Sequence, residues 1–219
     1  PKPRVTFGEG FIENSLLEYY ERNMENRLLL PARLEEAPAL MPYVRMHNGT
    51  IWNWNRSLIG FEADGTPHIR IEHRPMSASP TMQDLFADIH LYLGLVFYFS
   101  GQGQNPGQRM EFSDARWNFY QSARFGLEAE LRWEDKVQRC ATILQAGLLQ
   151  RAMDALEHQG VSGDGLEASY RILSGRLESM QNGAVWQLKQ LDAEGGDLFR
   201  MLEAYESHQA KGQPVHTWA

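Results

Sequence analysis

Residues 50–76 read "TIWNWNRSLIGFEADGTPHIRIEHRPM". Two runs rich in β-branched and aromatic residues, 50–61 and 68–76, flank "EADGTP". Asp64-Gly65 is a strong turn signal, because the commonest two-residue hairpin turn needs positive φ at both central positions. The spacing predicts an antiparallel hairpin with Arg56 opposite residues 72–73, and so beside Glu72 when both point to one side. Strand alternation puts His68, Arg70, Glu72 and Arg74 on one face and Ile69, Ile71 and His73 on the other.

The charged face has two readings. A wet face of an amphipathic strand accounts for it without any function. Turned into a cleft, the charges need partners, since burying a bare charge costs several kcal/mol. Two or three arginines around one carboxylate leave an excess of positive charge. The guanidinium fork suits phosphate or carboxylate oxygens, and Glu72 could hold a divalent cation bridging such an anion. The opposite face offers only two isoleucines before His73 and Pro75, which is thin for a core.

The chain has 219 residues, enough for one large domain or two small ones with a sizeable core. It carries 21 basic and 28 acidic residues, a formal net charge of -7. That balance supplies no basic face for nucleic acid. The single cysteine, Cys140, excludes an intrachain disulfide. Its helical surroundings, "KVQRCATILQ", predict a small buried residue, and a reducing, cytoplasmic setting is expected. No signal peptide is read. The most apolar run, Leu91 to Gly101, is too short to span a bilayer and reads as a core helix, so no membrane partner is expected. The opening "PKPRVTFGEGF" lacks an initiator Met and reads as a processed chain or a fragment.

Around the hairpin, Val5 to Phe7 reads as a short strand and Phe11 to Asn26 as a helix with apolar spacing. "LLLPARLEEAPALMP" holds three prolines and reads as irregular. "YVRMHN", Tyr43 to Asn48, reads as a strand. From Thr81, an N-cap, the chain reads as helical: Met82 to about Ser100, a helix over "DARWNFYQSARFGLEAEL" capped by Ser113, then about 134–158, 166–181, 183–193 and 197–210. The fold class expected is α+β. Residues 1–81 form a strand-rich part carrying the site, and residues 82–219 a helical region packed on it as one unit.

Two further clusters stand out. "HNGTIWNWNR" sets His47, Thr50, Asn53 and Asn55 among tryptophans. It reads either as a strand or turn with a satisfied histidine, or as a lip contacting a nucleotide or amino acid, with His47 as metal ligand or phosphate donor. "RWNFYQSARFGLEA" puts Asn118, Gln121 and Arg124 on one helical face, by default a solvated one. No Walker A motif, dinucleotide fingerprint, zinc spacing or nucleophile elbow is present. "GQGQNPGQ" has glycines but no Lys-Ser/Thr and no preceding strand, a weak phosphate loop.

With these residues in view, "HNGTIWNWNRSLIGFEADGTPHIRIEHRPMSASPT" resembles the C-terminal part of bacterial glutamate–cysteine ligase-like proteins, the carboxylate–amine ligase group. The segments "NRS", "RIEHR" and "SASP" are similar, in the same order, to segments of glutamine synthetases. The resemblance implies part of a glutamine-synthetase-like antiparallel sheet followed by a helical block. It also implies a ligase that uses ATP and Mg2+ to phosphorylate a glutamate-type carboxylate, whose acyl phosphate an amine then attacks. On that reading Arg56 and Arg74 meet phosphate or the substrate carboxylate, and Glu72 ligates metal. Arg70, His47, Thr50, Asn55 and Arg124 contact substrate or phosphate, and the partners are amino acids and ATP.

Two departures qualify the resemblance. "RPMSASPT" stands where relatives often carry a Pro-Ala-Gly-Pro exit, and the N-terminal half that brings the metal-holding glutamates in such enzymes is not matched. Glu72 is the one carboxylate placed in the site, with Glu9 a remote second, and one glutamate does not hold two magnesium ions. The chain is therefore expected to be the C-terminal part of a longer ligase, inactive or nearly so alone. The alternatives are a non-catalytic binding or assembly module that keeps the sheet, or a related ligase with a different amine. A homo-oligomer through an open sheet edge is a further expectation.

Overall fold

A computed structural model describes residues 3–29, 33–103 and 106–219. It is a mixed α/β structure with a helical majority and small two-stranded sheets. The chain divides into two compact units, Pro1–Ser77 and Ala78–Ala219.

In the first unit, β1 (Val5–Thr6) pairs in parallel with β2 (Trp52–Asn53), Val5 against Trp52. Helix α1 (Leu17–Met24) starts later than the apolar spacing predicts. The Glu18 carboxylate explains the delay: it accepts the backbone N–H groups of Glu13, Asn14 and Ser15. Those amides are thereby satisfied in a turn outside the helix. They also hold the Glu18 carboxyl below its ordinary value.

Residues 43–48 are not a strand. Helix α2 spans Pro42–Gly49. Proline at its first turn has φ preset for a helix and no amide to leave unsatisfied. Met41 ahead of it turns the chain through a left-handed conformation, φ 48°. Of "LLLPARLEEAPALMP", Pro38–Leu40 is a turn of 3-10 helix, and residues 30–32 lie outside the described residues.

The predicted hairpin is present as β3 (Asn55–Phe61) and β4 (Pro67–His73). Its antiparallel register sets Arg56 opposite Glu72 and Leu58 opposite Arg70. In the turn, Glu62 N–H donates to Thr66 O at 2.9 Å and Thr66 N–H to Asp64 Oδ1 at 2.9 Å. Gly65 takes φ 86°, which its missing Cβ permits.

In the second unit, α3 (Met82–Gly101) is capped by Thr81, whose Oγ1 accepts the Asp84 N–H at 3.2 Å. Helix α4 (Phe112–Phe125) has Glu111 rather than Ser113 at its N-cap position, without a side-chain cap bond, and stops at Gly126, φ 56°. The expected helices through 131 and from 134 give way to a second hairpin, β5 (Glu130–Trp133) and β6 (Lys136–Arg139). Its two-residue turn, Glu134-Asp135, has positive φ at both positions, 49° and 60°, the backbone that matches strand twist.

After it come α5 (Cys140–Ile143), a wider π turn at Leu144–Leu148, and α6 (Leu149–His158). They are followed by α7 (Asp164–Ser179), α8 (Gly183–Ala193) and α9 (Leu198–Lys211). Asn182 and Asp197 cap the last two with side-chain oxygens. Cys140 is half-buried at the start of α5, and burial pushes its thiol pKa up.

The core of this unit gathers Ala87 of α3, Ala152, Met153 and Leu156 of α6, and Ile172, Leu173 and Leu177 of α7. A Cβ on Gly94 would lie 2.3 Å from the Ala152 carbonyl oxygen, so that glycine lets α3 and α6 approach backbone to backbone. A polar bolt runs through it. Asp84, fully buried, accepts Arg176 Nη2 at 2.7 Å and the Val215 N–H at 3.1 Å. Gln181 Nε2 donates to the carbonyls of Val215 and Trp218. The closing "PVHTW" is thus tied into the helices, with Trp186, Met201, Val215 and Trp218 packed as a second core. No described helix is long and apolar enough to cross a membrane.

Candidate functional site

The charged face of the first hairpin holds an arginine–glutamate–arginine cluster. Arg56 Nε–H donates to Oε2 of Glu72 at 2.9 Å, and its Nη2 lies 2.8 Å from the same oxygen in an ion pair. Its Nη1 donates to the Gly49 carbonyl at 3.2 Å, at the end of α2. Arg74 Nη1 reaches the same Oε2 at 3.5 Å, and its guanidinium lies 3.9 Å from the centre of the Trp52 ring. The arginine side chains are 14% and 19% exposed, that of Glu72 39%.

Each element has a reason to be there. The antiparallel register delivers Arg56 to Glu72, and the strand period returns Arg74 to the same face two residues on. Parallel pairing of β1 with β2 fixes the strand that carries Trp52. Backbone carbonyl, ring face and carboxylate hold the two cations in place before any ligand arrives. Two arginines against one glutamate leave one net positive charge in a partly desolvated setting, where Coulomb energy exceeds its value in water. Both arginines use Oε2, and Glu72 Oε1 accepts no bond among the described residues.

Arg70, exposed, shares the face. Its Nη1 is 3.5 Å from His68 Nε2, and it borders a cavity of about 380 Å³ with Tyr20, Arg45, Asn48, Leu58 and Ile59. Three other predicted residues bond to the scaffold, although the buried Nδ1 of His47 has no hydrogen-bond partner among the described residues. His47 is buried and its Nε2–H donates to the Asn23 carbonyl at 2.9 Å, tying α2 to α1. Thr50 Oγ1 donates to His47 O and accepts Arg4 Nη1, both at 2.7 Å. Asn55 Oδ1 meets His73 Nδ1 at 2.7 Å, and burial lowers the His73 pKa.

Arg124 belongs to the second unit, exposed in the last turn of α4 with its guanidinium near the Phe125 ring. Asn118 of the same helix clamps β5 through the N–H and C=O of Arg132, each at 2.8 Å. That helical face is a packing face at Asn118. In "GQGQNPGQ", Gln104 and Asn105 lie outside the described residues.

Trp52 and the Gly49 carbonyl were not read as site groups. Tyr19 is a third: burial pushes its phenol pKa up, while Asn23 and the positive charge of Arg56 pull it back.

The charge and donors of the cluster suit an anion. Among the described residues no group of three or more His, Cys, Asp or Glu could hold a metal ion. Glu72 alone offers one open oxygen, flanked by two guanidinium groups that repel a cation. Glu9 is exposed in the bend after β1. No protein-family model, curated protein or solved structure matches the chain.

Proposed function

We propose that this chain supplies the phosphate-binding wall of an ATP-dependent carboxylate–amine ligase similar to glutamate–cysteine ligases, on part of a glutamine-synthetase-like sheet. The observation that carries the reading is the pair Arg56 and Arg74 converging on one oxygen of Glu72, pre-held by Gly49 and Trp52. Phosphoryl transfer needs charge neutralised along the transferring group more than it needs a nucleophilic side chain. In the proposed reaction a substrate carboxylate oxygen bonds to the γ-phosphorus of ATP, the bond to the β-bridging oxygen breaks and ADP leaves. An amine then attacks the acyl carbon and phosphate departs. Arg56 and Arg74 orient and neutralise the phosphoryl oxygens. One carboxylate does not hold a magnesium ion by itself, so the reaction needs metal ligands beyond Glu72.

Calorimetric titration of the chain with ATP and with inorganic pyrophosphate tests the wall. Salt-sensitive binding that Arg74→Ala weakens is expected. Binding of neither, or binding indifferent to both arginines, rules the site out. An acid-by-amine screen for ADP release, on this chain and on the complete product of its open reading frame, identifies the substrates. Anion binding without ADP release for any pair favours the binding-module alternative.

A further inference from the structure

We propose that two copies of this chain join by antiparallel pairing of β4 with β4 of the second copy, about a two-fold axis at Ile71. The hairpin fixes which backbone groups are available. Arg74 N–H donates to Trp54 O, so the even-numbered residues of β4 direct their amides and carbonyls toward β3. The odd-numbered ones, Ile69 and Ile71, direct theirs to the other edge. No strand lies on that edge among the described residues. The outer edge of β3 is occupied at Ser57, whose carbonyl accepts Asn48 Nδ2 at 2.7 Å. The open edge of the hairpin is therefore that of β4.

The side chains of β4 are self-complementary in one register. With Ile71 opposite Ile71 of the second copy, Arg70 stands opposite the second copy's Glu72, and Glu72 opposite its Arg70. Ile69 then faces His73. The isoleucines, 51% and 53% exposed, cover one another. The exposed Arg70 guanidinium, whose one hydrogen bond among the described residues is to His68 Nε2 at 3.5 Å, meets the unused Oε1 of Glu72. Arg56 and Arg74 keep Oε2 and remain available to an anion.

Sliding by two residues in one direction opposes Arg70 to Arg70, and in the other Glu72 to Glu72 with Arg70 against Arg74. Like charges directly opposite are unfavourable, so the charges select one register. The product is a closed, isologous four-stranded sheet. It answers the marginal stability of a lone two-stranded hairpin.

Sedimentation equilibrium of the full chain tests the pairing. A concentration-dependent dimer is expected, loosened by salt and weakened about tenfold or more by Arg70→Glu but not by Arg70→Lys. Register is read independently by cysteine pairs in a Cys140→Ala background. Ile71→Cys places two thiols on directly opposed residues and is joined by a short bis-maleimide. Ile69→Cys places them about 13 Å apart along the strand and is not. Both isoleucines are exposed, so neither variant threatens the fold. A monomer at every concentration, or cross-linking at 69 equal to that at 71, overturns the proposal.

Discussion

Arg56 and Glu72 face each other across the β3–β4 ladder, joined by a hydrogen bond from Nε–H and an ion-pair contact from Nη2 to the same carboxylate oxygen. The third nitrogen of that guanidinium, Nη1, donates to the Gly49 carbonyl. Arg56→Lys keeps the charge and loses the fork. The expected result is a stability loss of about 1–2 kcal/mol in urea unfolding and about tenfold weaker pyrophosphate binding. Unchanged binding with lower stability would make Arg56 a purely structural residue.

Glu72→Gln should act with opposite signs on two readouts. Removing the carboxylate leaves two guanidinium groups together without their counter-charge, which costs about 1–3 kcal/mol of stability. The same change raises the positive potential of the cluster, so pyrophosphate binds more tightly in the absence of a divalent cation. Calorimetry in chelator checks this. Weaker binding in the variant would mean that Glu72 acts chiefly by positioning the arginines.

Trp52 is the residue that alternation could not supply. Arg74 rests on its ring at cation–π distance, a contact worth about 0.5–2 kcal/mol according to how dry it is. Trp52→Phe should retain most anion affinity and Trp52→Ala should lose it by several-fold, with indole fluorescence of the wild type quenched or shifted on pyrophosphate binding. Equal affinity in all three proteins would show that the ring does not hold Arg74.

What could be read from the sequence follows from what local pattern encodes. The first hairpin was legible because a two-residue period and an Asp-Gly turn agree, and the register then brought Arg56 to Glu72. Residues 43–48 misled because six residues carry too little periodicity to separate strand from helix. The deciding features were Pro42 at a helix start and Met41 in the left-handed region. The second hairpin was hidden because Glu134-Asp135 adopts a turn usually signalled by Asn or Gly. His47 had two readings by type, a satisfied histidine or a site contact, and its ring gives Nε2–H to a carbonyl of α1. Only tertiary placement reveals that bond.

Asp84 offers a test in the second unit, remote in sequence from the cluster. It is fully buried and serves Arg176, Thr81 and the amide of Val215 together. Asp84→Ala leaves the mostly buried Arg176 with Asp88 as its remaining carboxylate. The expected loss is about 3–5 kcal/mol, read by urea unfolding, with the C-terminal Trp218 exposed to quencher before the rest of the chain unfolds. A loss under about 1 kcal/mol would mean that the tail is held by its aromatic packing alone.

Glu18 sets an acid limit on the first unit. Three backbone amides stabilise its charged form, so its folded pKa lies below the ordinary 4.5. A depressed carboxylate contributes stability that is complete above the unfolded pKa and fades as pH falls through the folded one. Urea midpoints taken from neutral pH into the acid limb should therefore fall in the wild type. The Glu18→Gln variant should start lower and fall less, the two curves converging once the carboxyl is protonated. Parallel curves would mean that the carboxylate's charge makes no net contribution to the turn ahead of α1.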